Sequence, residues 1–217
     1  GGGESVRVRP GNLSAATAAG RASSGGVAAP DAVVAAAERG EEEALLAWLD
    51  SGGRVSGTYE RGGVSGVTLL MGAAGSGHER LVELLLRHGA EIDKQGSNGL
   101  TALMAAAGNG QEGVVDLLLR RGAEVSLQRS NGFTALMIAA LLNHPAVVQR
   151  LLRAGADAAP TVNGKTALQL AKEQGHAECV KVLAEAAAAV ADGRAGAGAS
   201  SGAAAAAVDA PLLGQRV

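Results

Sequence analysis

Apolar and polar residues alternate in blocks through the middle of the chain, and the blocks recur in register. Thr101-Ala-Leu-Met-Ala-Ala-Ala-Gly-Asn-Gly is followed by a polar step, then by Val114, Val115, Leu117, Leu118 and Leu119 at helical spacing, and closes on Gly122. The same order of residue types begins at Thr68, Thr134 and Thr166. Thr68, Thr101 and Thr134 lie 33 residues apart and Thr166 follows after 32. A fixed period in this range is the mark of stacked structural repeats.

Each unit reads as two helices and a loop. Thr101 stands where a helix N-cap is wanted, its hydroxyl placed to accept a backbone N–H from the first turn. Ala102 to Gly108 predicts a short helix of small residues, able to approach its neighbours closely. Gly110 breaks it, because the connection needs unusual backbone angles. The valine and leucine stripe predicts a second, larger helix, ended by Gly122 in the left-handed conformation. The polar stretch from Glu124 to Phe133, with Asn131-Gly132, suits a projecting hairpin.

These units resemble ankyrin repeats. Gly99-Leu-Thr-Ala-Leu-Met and Gly132-Phe-Thr-Ala-Leu-Met match that family's motif, as do Gly89-Ala-Glu-Ile-Asp, Gly122-Ala-Glu-Val-Ser and Gly155-Ala-Asp. The family's Pro is Leu69, Ala102, Ala135 or Ala167 here, and its motif His is Met71, Met104, Met137 or Gln169. The hydrogen bonds usually made by that His are therefore expected to give way to apolar packing. The resemblance covers about residues 31 to 185. It implies an all-α solenoid of about five helix pairs with projecting β-hairpin loops.

In chain order, residues 1–29 are rich in Gly, Ala and Ser with no periodic apolar face, and are expected to be disordered. Arg7, Arg9 and Arg21 against the single acid Glu4 also fit an organelle transit segment, and a bland linker is the favoured alternative. The repeat domain is expected over 30–190. Its N-terminal cap, 31–51, carries Glu41, Glu42 and Glu43 where the helix dipole favours acids. Repeats follow at 64–96, 97–129 and 130–160, with a C-terminal repeat at 161–190. The loop from Gly52 to Thr68 is about four residues longer than its counterparts and holds Arg54, Tyr59, Glu60 and Arg61. The last helix is expected to run on to about Ala189, and 191–217 to form a disordered Ala/Gly-rich tail. The chain does not begin with Met, as expected of a fragment or a processed form.

Composition narrows the function. The chain is 47% hydrophobic but 1% aromatic, which fits thin stacked helices better than a barrel or sandwich. Residues 31 to 185 hold 18 acids and 14 bases, so a basic face for nucleic acid is not expected. No apolar run approaches the roughly 20 residues of a membrane span. Cys179, the one cysteine, excludes an internal disulfide, and an intracellular, cytoplasmic setting is the expectation.

Few residues invite chemistry. His78, His144 and His176 share one repeat position, about 10 Å per repeat apart, too far for a common metal. They are expected to hydrogen-bond a neighbouring hairpin. Cys179 falls at the position of Leu81 and Val114 and reads as a small core residue. Gly72-Ala-Ala-Gly-Ser-Gly-His superficially matches a phosphate loop but lacks the Lys and the preceding strand. No nucleophile, base and orienter come together, so neither catalysis nor a cofactor is expected.

The resemblance implies protein–protein binding through loop tips and a concave helix face, with the chain as a monomer. Carried over from the family, the contact positions are Val64, Ser65, Val67, Gly75 and Ser76; Ser97, Asn98, Leu100, Gly108 and Asn109; Ser130, Asn131, Phe133, Leu141 and Leu142; and Val162, Asn163, Lys165, Glu173 and Gln174. Leu100, Phe133, Leu141 and Leu142 form an apolar group that a solvated face does not need. One expectation is that this group anchors a protein partner, with Phe133 at its centre. The other is that Leu141 and Leu142 pack under the neighbouring hairpin while Phe133 covers a helix end. A regulatory or targeting module of a larger enzyme is the rival reading.

Overall fold

The computed structural model describes residues 28–191. The expectations for the two terminal segments, transit peptide included, lie outside them, save at the margins. Ala28 and Ala29 are ordered: Ala28 pairs in parallel with Thr58, and Ala29 N–H donates to the Thr58 carbonyl at 3.1 Å. At the other end the last helix reaches Ala191.

Among the described residues, ten helices alternate in two layers. The inner helices are α1 (Asp31–Arg39), α3 (Leu69–Ser76), α5 (Ala102–Gly108), α7 (Ala135–Leu141) and α9 (Ala167–Glu173). The outer helices are α2 (Glu42–Asp50), α4 (Glu79–Arg87), α6 (Glu112–Arg120), α8 (Pro145–Arg153) and α10 (Ala177–Ala191). Each inner helix packs on the next, and α4, α6, α8 and α10 pack in sequence behind them. The core lies between the layers. Small inner residues (Ala73, Ala74, Ala106, Ala107, Ala139, Ala140) let backbones approach, and Leu85, Leu118 and Leu151 fill the space behind.

Every full repeat starts on the same cap. The hydroxyls of Thr68, Thr101, Thr134 and Thr166 accept the N–H three residues on, at 3.2 to 3.4 Å. At Thr166 the cap is reciprocal, its own N–H donating to Gln169 Oε1 at 2.8 Å. Thr101 is buried, so no water replaces its oxygen. Thr101→Ala is expected to cost about 1 kcal/mol, read as a lower denaturant midpoint with an unchanged slope. An unchanged midpoint would remove the cap from the account.

The loops, here termed fingers, depart from the hairpin expectation. Only the first is a strand ladder, β1 (Thr58–Arg61) against β2 (Val64–Thr68), turned by Gly62 and Gly63 at φ 57° and 77°. Its extra residues provide that length. Asn163-Gly164 makes a two-residue turn, both at positive φ, with Val162 and Lys165 exchanging two 2.9 Å bonds. Asn131-Gly132 does not. Gly132 alone is left-handed there, its N–H donating to the Arg129 carbonyl at 2.8 Å, so the finger is a closed turn with one isolated bridge, Gln128 to Thr134.

The two ends of the stack differ from its middle. Leu81, Val114, Val147 and Cys179 occupy one position and are buried; the counterpart in the first pair is Ala44, which is exposed. Met71, Met104 and Met137 are buried where the last repeat has exposed Gln169, and Ala74, Ala107 and Ala140 where it has exposed Lys172. Each end thus exposes small or polar residues where an interior repeat buries apolar ones.

Candidate interaction face

The fingers and the inner helices meet on one side of the stack. Backbone bonds tie successive fingers: Ser97 N–H donates to the Ser65 carbonyl and Ser130 N–H to the Asn98 carbonyl, both at 2.9 Å. Ser65 N–H returns a bond to Ser97 Oγ at 3.1 Å. Gln95 spans two fingers, its amide donating to the carbonyls of Gly99 and Gln128 at 3.2 and 3.1 Å. These bonds fix the relative positions of the loop tips.

The structure separates the candidate residues into three kinds. Val67 is 5% exposed and turns into the core at the finger base. Ser97, Asn109, Ser130 and Asn131 are exposed, while Asn98 is half-buried and accepts from Leu100 N–H at 3.0 Å. Lys165 is half-buried and bonded to Glu173 at 2.7 Å. The apolar group divides. Leu100 and Phe133 are half-buried and pack against the core, Leu141 is half-buried, and Leu142 is 51% exposed. Leu142 also leans over the preceding repeat, its Cδ1 3.6 Å from where a Cβ on Gly108 would stand. Finger packing therefore claims part of Phe133, and Leu142 is the large apolar side chain that this face offers to solvent.

The histidines have a different partner from the expected hairpin. His78 Nε2–H donates to the Glu38 carbonyl at 2.8 Å, His144 to Gly108 at 3.1 Å and His176 to Leu141 at 3.0 Å. A carbonyl only accepts, so Nε2 carries the proton. Gln111 fills the same place in its repeat and donates to the Gly75 carbonyl at 3.4 Å. All four acceptors lie at the end of the preceding inner helix, where carbonyls lack intrahelical donors. The stack thus keeps a row of inter-repeat hydrogen bonds, although the methionines at the motif His positions are buried within their own repeats, Met71 Sδ accepting from Thr68 N–H at 3.5 Å.

The residues that invited chemistry take structural places. Cys179 is fully buried, and burial, aided by Glu178, pushes its thiol up, away from the reactive thiolate. The glycine-rich stretch at 72–76 is helix α3, not a loop. Among the described residues no His, Cys, Asp and Glu group is arranged to hold a metal ion, and no helix is long and apolar enough to cross a membrane. Tyr59 lies against Gly72 with its hydroxyl buried and, among the described residues, without a hydrogen-bond partner. Burial raises its pKa.

A hollow of about 400 Å³ opens between the first two fingers and the inner helices, with Gly72 and Gly75 on its lining. A family model described as ankyrin repeats, in three copies, matches the chain over residues 33–129 and 114–193. No curated protein matches it.

Proposed function

The chain belongs to the ankyrin repeat family, and from that premise we propose that it is a non-catalytic protein-binding module whose partner docks on the face formed by finger tips and inner helices. One observation carries the reading: Leu142, 51% exposed on that face beside Leu141 and one repeat from Asn109, is the most exposed large apolar side chain among the described residues, the others being buried or partly buried. A large apolar group held in water by a rigid scaffold suits burial against a partner. The exposed Ser97, Asn109, Ser130 and Asn131 supply uncharged hydrogen-bonding groups around it. The first three fingers are tied to each other by hydrogen bonds, so their relative positions are set before binding.

The test is a comparative pull-down from native lysate with the whole chain as bait. Phe133→Ala combined with Leu142→Ala is expected to weaken capture of specific partners about tenfold or more, with the helical circular dichroism unchanged. Undiminished capture by the double variant would remove the middle of this face from the binding site.

A further inference from the structure

Asparagine is a chemically labile residue, and most so before glycine, whose nitrogen can reach the asparagine side chain with no Cβ in the way. The chain holds four Asn-Gly pairs: Asn98-Gly99, Asn109-Gly110, Asn131-Gly132 and Asn163-Gly164. The dipeptide is the same at each, so the fold decides which of them can react.

The reaction needs two groups to be free. The glycine nitrogen must attack the side-chain Cγ, and the side chain must swing to meet it. At three of the pairs both groups are engaged. Gly99 N–H donates to the Gly96 carbonyl at 2.9 Å, Gly110 N–H to Ala107 at 3.4 Å and Gly132 N–H to Arg129 at 2.8 Å. Asn98 Oδ1 accepts from Leu100 N–H at 3.0 Å and Asn131 Oδ1 from Phe133 N–H at 3.4 Å, while the Asn109 amide donates to the Ala105 carbonyl at 2.9 Å. Space is also taken there. A Cβ built on Gly99 would stand 2.8 Å from Arg129 Cα, on Gly110 2.6 Å from His144 Nδ1, and on Gly132 3.3 Å from Val162 Cγ2.

Asn163-Gly164 has none of these restraints. Both residues are exposed, and no atom lies within 4 Å of a Cβ built on Gly164. Among the described residues neither the Gly164 N–H nor the Asn163 side chain has a hydrogen-bond partner. Nor does this finger share the backbone bonds that tie the first three together. Asn163 is held at φ 51°, an angle unfavourable to a residue with a Cβ, so little is lost when it rotates away.

We infer that Asn163 is a self-modification site, at which the side-chain amide is lost through a cyclic imide. The Gly164 nitrogen gives up its proton to solvent base and bonds to Asn163 Cγ. The Cγ–Nδ2 bond breaks, and ammonia leaves. Water then opens the imide at either carbonyl, giving aspartate, or isoaspartate with the main chain routed through the side chain. Either product adds a negative charge to the tip of the fourth finger, close to Lys165, which already pairs with Glu173 at 2.7 Å. Isoaspartate also lengthens the two-residue turn by a backbone atom and so pulls apart the 2.9 Å bonds between Val162 and Lys165. This chemistry is independent of the partner-binding reading.

The test uses the full chain, held in mildly alkaline buffer at physiological temperature and sampled over days. Each sample is digested at acidic pH and read by tandem mass spectrometry at all four pairs. A parallel sample is kept unfolded in guanidinium chloride. In the folded chain Asn163 is expected to convert at least about tenfold faster than the other three, each of which must first break two hydrogen bonds. In the unfolded sample the four rates are expected to converge. Isoaspartate separates chromatographically from the aspartate peptide of equal mass, whose position the Asn163→Asp variant marks. A folded-state rate at Asn98, Asn109 or Asn131 that equals or exceeds the rate at Asn163 overturns the inference. The same spread of rates in the unfolded sample also overturns it, because the difference would then lie in local sequence and not in the fold.

Discussion

Leu118→Ala is expected to destabilise the chain by about 2–5 kcal/mol, the range for truncating a buried leucine whose neighbours close only partly over the cavity. Leu118 is 0% exposed on α6, in the central repeat. Its helix packs on α4 before it and α8 after it, so the loss is felt on both sides. A repeat stack is stabilised by its units and by the interfaces between neighbours. Weakening the central unit therefore weakens two interfaces at once, while the equivalent Leu183→Ala on α10 has a repeat on one side only. Chemical denaturation checks this. The central variant is expected to lower the midpoint more than the terminal one, and a loss below about 1 kcal/mol at Leu118 would mean that the site collapses freely.

Gly110→Ala is expected to cost about 2–5 kcal/mol, from two sources acting at one atom. Gly110 has φ 68°, a left-handed conformation that costs a residue with a Cβ roughly 1–2 kcal/mol. The added methyl would also stand 2.6 Å from His144 Nδ1, forcing away the ring that holds the Gly108 carbonyl; such overpacking typically costs about 1–3 kcal/mol. The chain contains its own control. Asn143 takes the same place one repeat later at φ 61°, and His176 still reaches the Leu141 carbonyl at 3.0 Å. Asn tolerates the left-handed region better than Ala. Gly110→Asn is accordingly expected to melt above Gly110→Ala, and the reverse order in thermal denaturation would show that space, not backbone angle, dominates.

Much of this architecture was legible in the chain. The threonine spacing places all four caps, and the glycine-and-valine sequence places both helices of each repeat, because these are local choices repeated in register. That the last helix continues past Leu183 could be read from the missing terminal glycine. What could not be read lies across repeats. The shared position of His78, His144 and His176 was plain, but their acceptors are carbonyls of another unit, and a period says nothing about which neighbouring atom a side chain reaches. Gln111 was missed for the same reason, since it matches the histidines in reach and not in name. Asn131-Gly132 and Asn163-Gly164 share a dipeptide and differ in conformation, because only the second is pinched between two residues that exchange both backbone bonds. Among the candidate contact residues, spacing put Val67 and Leu142 on an equal footing. Only packing separates a valine at a finger base from a leucine left in water. The hollow opens beside Gly75, while the space over Gly72 is taken by the Tyr59 hydroxyl, and the two glycines could be told apart only with their neighbours in place.

The trimmed ends of the stack carry a further consequence. Ala44 and Glu41 close one side, and Gln169 and Lys172 the other, while every junction between them is built from near-equivalent pairs of positions. Length and identity are thereby uncoupled. Interior units of the 97–129 kind share the cap, helix pair and finger of their neighbours, so one more such unit would set the first finger and the long terminal helix apart by one further packing step of about 10 Å, with neither end altered. The span of such a stack is set by the number of its units. The distance between two features of a partner, as much as their chemistry, is something a change in repeat number could follow.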